Sequence, residues 1–545
     1  MTRDSRKLII LAAAAALAGI LLMWRILIIN QNSSYYLSFD SSAPRKVDVI
    51  CSYGEICDRR GVPLVNRRER YIAVINPETA DKQILSEHIR DMEKYNECIN
   101  GTALFLCEVD SPEIESVSVI RVKERYPDGE NAIAPHIIGY VGEDGGVSGI
   151  EKAYNDILRQ PRSTVTLSYS VDAGGNMLEG EGLSMSWQSS YTTGVSTALD
   201  YEIQSAAENA MRNVNKGAAV VIDIKTGEIC ACVSRPEFDP AHPEESLSSK
   251  DSPFINRAFC AYSVGSAFKL VTAGAALEYG ISGSYSYDCS GSIFVRGSEF
   301  ACHRYGGHGR LDMRKAMVES CNPYFISLAQ DIPTSFLHDF ADELGFGKPV
   351  RLADGIQSAS GYLPTEKELK VPEEKANFAF GQGKVSATPL QVTLLTAAIA
   401  NHGQMPEPIL VNGNLSGSEI TVSAAPSFRR VMKTSTADKL RSYMVSTMYK
   451  DNSAAIPEFT TGGGKTSTAQ TWTYNDIGEE NMNCWFTGFF PADDPMYAVT
   501  VMIEQGVSGN VTCGPVFKEI ADSVRMHRFA EGGEENNYRK ISYMP

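Results

Sequence analysis

Positive charge is scarce in this chain of 545 residues: 50 Lys and Arg stand against 66 Asp and Glu, a formal net charge of −16. No Lys- and Arg-rich patch offsets that balance, so phosphate-backbone binding is disfavoured and no nucleic-acid partner is expected. A small-x-small cleavage site is missing after the long apolar run at residues 8–29, LIILAAAAALAGILLMWRILII. The run therefore reads as an uncleaved anchor rather than a removable signal peptide. A lipoprotein signal is excluded as well, because the first cysteine is Cys51. The run exceeds the roughly 20 residues that span hydrocarbon, and its one charge, Arg25, lies near an end and can snorkel. Arg3, Arg6 and Lys7 precede it. That bias keeps the N-terminus in the cytoplasm and places the rest outside the membrane.

A cysteine framework is also missing, although cysteine itself is not: there are twelve, at 51, 57, 98, 107, 230, 232, 260, 289, 302, 321, 484 and 513. Cys98 with Cys107, and Cys289 with Cys302, are spaced for small loops, and an outside location permits disulfides. Several others lie in apolar runs such as EICACV, where cysteine behaves as a small hydrophobe. Mostly free thiols are expected. Cys230 and Cys232 should point the same way along a strand, but no second ligand pair accompanies them, so no metal and no cofactor is expected.

Length implies more than one domain, and 43% hydrophobic residues are ample for large cores. The expected organisation is a cytoplasmic N-terminus (1–7), an anchor (8–29), a polar stalk leading into a first region with a hairpin-like bridge (30–190), a main domain (191–530) and a polar tail (531–545). Within the first region, 53–65 reads as strand, turn and strand. In the main domain the runs AAVVIDI, EICACVS, KTSTAQTW, CWFTGFF and YAVTVMIE read as five strands. A helix should start near Thr197 or Asp200.

The stretch YSVGSAFKLVT, residues 262–272, contains Ser266 and Lys269, the only serine in the chain with a lysine three positions later. A helix-forming run follows and stops at Gly280. Residues three apart share a helix face, with Cβ atoms about 5–6 Å apart, so the Lys269 amine can reach the Ser266 hydroxyl. That pairs a nucleophile with a base. The helix N-terminus would also stabilise an oxyanion on an attacked carbonyl. Taken alone, the four letters fit an N-cap serine and a solvated lysine just as well.

Fifty-four residues after Ser266 comes ESCNPYF, with Ser320 and Asn322. A helix over 312–319 should deliver Ser320, with Pro323 preventing its continuation. For a lysine-led strand there are three candidates. Lys225-Thr226-Gly227 precedes the nucleophile in a hairpin turn, and Lys433–Thr436 opens a helical stretch. Lys465-Thr466-Ser467-Thr468 begins a strand. Alternation there puts Lys465 and Ser467 on the face toward Ser266.

These motifs, in this order, resemble those of class B penicillin-binding proteins, whose Ser-x-x-Lys, Ser-x-Asn and Lys-Thr-Gly set is a known catalytic signature. FAFGQGKVSATPLQ at 378–391 and HIIGYVGEDGGVSGIEKAYNDIL at 136–158 also match, the latter best at Gly149, Ile150, Glu151 and Tyr154. Ser467 departs from the family's glycine, and Tyr53 and Cys57 depart from its first pedestal box. The resemblance implies an α+β fold: a β-lactamase/transpeptidase-like domain, with an antiparallel five-stranded sheet flanked by helices, on a mixed α/β pedestal behind one N-terminal transmembrane helix. It implies a D,D-transpeptidase in the bacterial cell membrane, single-pass, with its catalytic domain extracytoplasmic.

Ser266 would then be the nucleophile and Lys269 its base. Ser320 would relay protons, Asn322 would hold a substrate amide, and Lys465 would depress the Lys269 pKa. Thr466 and Thr468 would bind a terminal carboxylate, and the Thr468 N–H would join that of Ser266 in an oxyanion hole, with Ser467 shaping the slot. Partners implied are stem peptides ending in D-Ala-D-Ala, β-lactams and a SEDS-type glycosyltransferase. A D,D-carboxypeptidase, a β-lactamase or β-lactam sensor, and a catalytically silent scaffold remain as alternatives. His308 reads as a packed loop residue, Glu151 as a salt-bridged structural one, and Thr388 with Pro389 as a helix start.

Overall fold

The computed structural model describes residues 16–25, 45–126, 132–171, 177, 183–189, 193–416, 419–422, 425–474 and 478–531. Residues 16–25 of the expected anchor are helical, with Leu17, Ile20, Leu21, Leu22 and Trp24 exposed. The remainder of that run, the N-terminus before it, residues 30–44 and the tail beyond 531 lie outside the described residues. Among the described residues no helix is long and apolar enough to cross a membrane.

Two compact units are present. The first falls within Met1–Tyr53, Glu69–Glu124 and Pro161–Ser190. The hairpin expected in the bridge forms from Pro161–Tyr169 and Ser184–Ser189, and Arg45–Tyr53 adds a third antiparallel strand. A second sheet places Arg68–Ile75 between Phe105–Val109 and Ser118–Glu124. Its two short helices, Lys82–His88 and Met92–Cys98, start where Asp81 and Asp91 accept from free N–H groups of the first turn.

The second unit falls within Gly54–Arg68, Arg125–Gln160 and Tyr191–Pro545. Only half of the strand–turn–strand reading holds at its start. Glu55–Cys57 is a strand and Asp58 closes the turn by accepting from the Arg60 and Val62 N–H groups, but the returning segment makes a single bridge, Pro63 to Cys57, with the Asp58 N–H donating to the Val62 carbonyl and the Leu64 N–H to the Ile56 carbonyl, both at 2.8 Å. The short strand pairs in parallel with Thr193–Thr197 instead. Glu151 is buried in a salt bridge to Arg125 and accepts from the Tyr126 hydroxyl, as a structural role requires.

Four strands of this unit are apolar runs largely buried on both faces, and they assemble with a fifth, more polar edge strand into one sheet. Its strands are β1 (Gly217–Asp223), β2 (Ile229–Arg235), β3 (Gly463–Tyr474), β4 (Glu480–Phe490) and β5 (Tyr497–Glu504), in the order β2-β1-β5-β4-β3. Every pairing is antiparallel. Cys230 and Cys232 do not share a face. The register slips between Val221 and Ile222, a bulge at Cys230, so Cys230 packs with one core cluster and Cys232 with the other.

Helices cover both faces. On one side α1 (Tyr201–Ala210), capped by Asp200, lies against α7 (Gly514–Glu531) and contributes Ile203, Ala207 and Met211 to the core beside Phe486, Val501 and Phe517. On the other side α5 (Pro389–Ala400) crosses the sheet with every residue buried, as its all-round apolar sequence demands. Thr388 and Gln391 form its capping box, with Pro389 at the first turn. Its Thr396 hydroxyl continues through Thr487 to Thr500 at 2.6 and 2.7 Å, which satisfies three hydroxyls in a dry layer. Lys433 is the N-cap of helix α6 (Thr434–Met448), so Lys433–Thr436 is a helix start, as read. Lys225–Gly227 is a turn, with Gly227 at φ 81°.

Candidate active site

Ser266 is presented by a short 3-10 turn, Gly265–Phe268, that runs into helix α2 (Lys269–Tyr279), which ends at Gly280 in the left-handed conformation. The turn is held from three sides. The Trp485 Nε1–H donates to the Ser263 carbonyl at 3.0 Å, the Ser467 hydroxyl donates to the Val264 carbonyl at 2.7 Å, and the Gly265 N–H donates to the Gly381 carbonyl at 2.8 Å. Gly265 has φ 62°, and a Cβ there would stand 2.5 Å from the Ser467 hydroxyl. Glycine at 265 and serine at 467 are therefore read together. The Ser467 side chain is buried beneath the strand and directed at the backbone ahead of Ser266, not into an open slot.

Ser320 arrives from the other side of the cleft on a helix–helix junction. Helix α3 (Met313–Val318) is capped by Asp312, and helix α4 (Asn322–Gln330) follows with Pro323 in its first turn. The sequence reading is corrected here: Pro323 opens the second helix rather than closing the first, since its missing N–H has no partner to lose at that position. Between the helices, Ser320 has φ 52°, its N–H bonds to the Met317 carbonyl, and the Cys321 N–H bonds to the Ala316 carbonyl. That is the Schellman pattern, with serine where glycine is usual. The strained backbone of a non-glycine residue is tolerated at a site that needs its side chain.

These elements converge on the amine of Lys269, which is fully buried. Its Nζ lies 2.9 Å from Ser266 Oγ, 3.1 Å from Ser320 Oγ, 2.7 Å from the Ser320 carbonyl and 2.7 Å from Asn322 Oδ1. Lys465, also fully buried, brings its Nζ to 3.1 Å from Ser320 Oγ and donates to the Thr466 carbonyl at 2.8 Å. Burial, and after it the Lys465 ammonium, hold Lys269 well below the ordinary lysine range. Burial and then Lys450 push Lys465 down to about 7. Desolvation thus outranks the like-charge effect expected from the sequence.

A neutral Lys269 would have two N–H groups and one lone pair. The Ser320 carbonyl and Asn322 Oδ1 can only accept, so they take the two N–H groups and leave the lone pair to a hydroxyl. Thr466 and Thr468 occupy the alternate positions of β3 and are partly exposed, and the Thr468 hydroxyl accepts from the Gly509 N–H at 3.2 Å. All eight residues singled out in the sequence thus lie in this one unit, on α2 and the turn before it, the α3–α4 junction and β3.

Sequence reasoning missed Trp485 and Gly381, whose contribution is a ring N–H and a backbone carbonyl. It also missed a cluster that could hold a metal, Cys289, Cys302, His308 and Cys321, whose ligand atoms lie within 4.8 Å of one another. The signal available was Cys321 itself, between Ser320 and Asn322. All twelve cysteines are free thiols.

The chain matches the penicillin-binding protein transpeptidase domain model over residues 217–522, more than half its length. It is 28% identical over 494 residues to stage V sporulation protein D of Bacillus subtilis, covering 83% of this chain and 74% of that protein. It is 30% identical over 437 residues to the peptidoglycan D,D-transpeptidase MrdA of Acinetobacter baumannii, covering 70% of this chain and 63% of the relative. Its fold matches a chain from a peptidoglycan synthase complex of polymerisation and crosslinking with TM-score 0.69 and 25% identity, over 95% of this chain and 98% of that one. With Ser266, Ser320 and Lys465 gathered about one buried lysine on this fold, the chain belongs to the class B penicillin-binding proteins.

Proposed function

We propose that the chain is a serine D,D-transpeptidase that cross-links peptidoglycan stem peptides and is acylated by β-lactams. The observation that carries this reading is the 2.9 Å approach of the Ser266 hydroxyl to a buried lysine amine whose other contacts are acceptors. Ser266 Oγ attacks the carbonyl carbon of the penultimate D-alanine, and its proton passes to Lys269 Nζ. The Ser266 and Thr468 N–H groups receive the developing oxyanion. The C–N bond breaks as a proton, relayed from Lys269 through Ser320 Oγ, reaches the departing nitrogen of the terminal D-alanine. An amine from a neighbouring stem then attacks the acyl-enzyme ester, gives up its proton along the same path, and restores Ser266. Asn322 holds a substrate amide, Thr466 and Thr468 hold the terminal carboxylate, and Lys465 helps keep Lys269 neutral.

The finer reading is a single-pass protein anchored by residues 8–29 in the bacterial cell membrane. Residues 30–190 serve as pedestal and bridge, and 191–530 as the transpeptidase domain outside the cytoplasm. The Arg, Arg and Lys ahead of the apolar run support this orientation. A SEDS-type glycosyltransferase is the proposed partner, a reading supported by the likeness to a chain of a peptidoglycan synthase complex. The test is intact mass of the full chain in detergent after exposure to a penicillin, followed for hours beside Ser266→Ala. A lasting adduct confined to the unsubstituted chain is expected. One that vanishes within seconds would favour a β-lactamase, and no adduct in either would favour a scaffold.

A further inference from the structure

Strand β3 does not stop where the sheet does. β5 ends at Glu504, opposite Asn483, so beyond that point β3 and β4 continue as a two-stranded ribbon among the described residues. A two-stranded ribbon buries little by itself and is marginal in water, yet this one is braced by its own side chains. The Glu480 carboxylate accepts from Gln470 Nε2 at 2.9 Å and from the Trp472 N–H at 3.1 Å. The Thr471 hydroxyl donates to the Asn481 carbonyl at 2.6 Å, and Asn481 Nδ2 donates to the Thr473 hydroxyl at 3.1 Å.

What the bracing holds out to solvent is aromatic. Trp472 is 70% exposed and Tyr474 is 62% exposed. Single exposed apolar residues are ordinary, but Trp472 also has φ 57°, a left-handed backbone that is an outlier for so bulky a side chain. The indole gains no core burial in return for that strain, which fits a ligand-binding face better than a packing one. The sequence limits the charge of the ligand: residues 470–483 include Asp476, Glu479 and Glu480 and no Lys or Arg. An anionic lipid surface or an acidic partner is disfavoured there, and a neutral ligand with an apolar face is favoured.

Position narrows the ligand further. β3 is the edge strand of its sheet, and the same strand carries Thr466 and Thr468. With the terminal carboxylate held by those threonines and the scissile carbonyl at the Thr468 N–H, the rest of a donor stem leaves the site along β3 toward Gln470. From that carbonyl back to the sugar lie about four stem residues, which span roughly 13–14 Å when extended. From Thr468 to Trp472 there are four strand steps, roughly 13 Å. The two lengths agree, so the sugar that bears the stem arrives at Trp472.

We propose that Trp472, together with Tyr474, is a stacking platform for the glycan of the donor strand, the ligand class being a neutral N-acetylated hexosamine. A pyranose ring offers a face of C–H groups to the indole and keeps its hydroxyls toward water and the polar side chains of the ribbon. No bond is made or broken at this site. Its effect is to favour stems still attached to glycan over free peptides. The assignment to the donor strand rests on the transpeptidase reading.

The test uses the full chain in detergent. Calorimetric titration with chitotetraose, the tetramer of N-acetylglucosamine, should show saturable binding that is lost in Trp472→Ala and retained in Trp187→Ala, which removes an exposed tryptophan of the first unit. D-Alanine release is then measured from uncross-linked glycan strands bearing stems and from a sugar-free peptide ending in D-Ala-D-Ala. Trp472→Ala should raise KM for the glycan-borne stem about tenfold with kcat held, and Trp472→Tyr, which keeps an aromatic face, should restore it. Both constants for the sugar-free peptide, and the penicillin adduct, should be unchanged. Failure of chitotetraose to bind the unsubstituted chain overturns the proposal. So does an equal rise in KM for both substrates, which would make Trp472 a brace of β3, or no rise for either. Chitotetraose binding by a chain that forms no penicillin adduct would strike the transpeptidase reading and leave the sugar site standing.

Discussion

Arg59 and Lys269 are both held out of bulk water in the same unit, and their surroundings are opposite. Arg59 meets Asp200 at 3.2 Å, Asp223 at 3.4 Å and Glu228 at 2.9 Å, so its charge is answered by carboxylates from three elements. Lys269 meets hydroxyls, a carbonyl and an amide oxygen, and the neighbouring charge that acts on it most is another buried cation, Lys465. A cation buried with counter-charges stays charged and fastens the fold. One buried without them is driven toward its neutral form and becomes a base.

Substitutions should separate these two regimes. The largest effect is expected from Ser266→Ala, which should abolish the penicillin adduct in intact-mass spectra while leaving the melting temperature nearly unchanged. Lys269→Arg keeps the charge but cannot supply a lone pair, so acylation should fall by about 10²–10⁴-fold, measured by fluorescent penicillin labelling. An arginine that restored full acylation would sink the neutral-base reading. Arg59→Met should do the reverse. It removes the guanidinium from Asp223 and Glu228, Asp200 keeping Arg60 at 3.1 Å, and costs about 3–5 kcal/mol of stability in urea titrations, while the folded fraction acylates normally.

The pH dependence sharpens the same contrast. Acylation should rise with pH as Lys269 sheds its proton, at a midpoint well below the ordinary lysine value. In Lys465→Met the midpoint should move upward, because a neighbouring positive charge is gone, but only in part, because burial is the larger cause. For stability the sign is also determined. Lys465 titrates near 7 when folded and near 10.4 when unfolded, so between those values the unfolded chain holds the extra proton and stability rises with pH. Below about 7 that contribution is flat. Urea midpoints measured at pH 7 and 9 should show the rise, and Lys465→Met should lessen it. The smallest effect is expected from Ser467→Ala, which removes one hydrogen bond to the Val264 carbonyl and should cost about 1 kcal/mol, with less than tenfold loss of acylation.

Much of the main unit was legible because its signals are local. Four strands of the sheet are apolar runs, α5 announces itself through Thr388, Pro389 and Gln391, and the choice of Lys465 over Lys225 and Lys433 needed only the element each lysine begins. Signals that depend on pairing misled. The bulge at Cys230 reversed an alternation argument, and the second strand that the turn chemistry promised pairs back only as one bridge at Pro63. At Pro323 the residue type was informative but its direction was not, since proline is compatible with the end of one helix and the start of the next.

By itself the sequence determined which chemical groups are available and in what order: a hydroxyl three residues before an amine, a second hydroxyl ahead of an amide, and a lysine opening a strand. Those follow from helix and strand periodicity, which acts within a few residues. The tertiary structure alone decided that Ser467 reaches beneath the strand to Val264, and that Ser320 takes a left-handed backbone between two helices. It also decided that Cys289, Cys302, His308 and Cys321 meet at one point. The reason is that burial and ligand convergence depend on the packing of segments far apart in the chain, 203 residues for Val264 and Ser467, and no local rule encodes that distance.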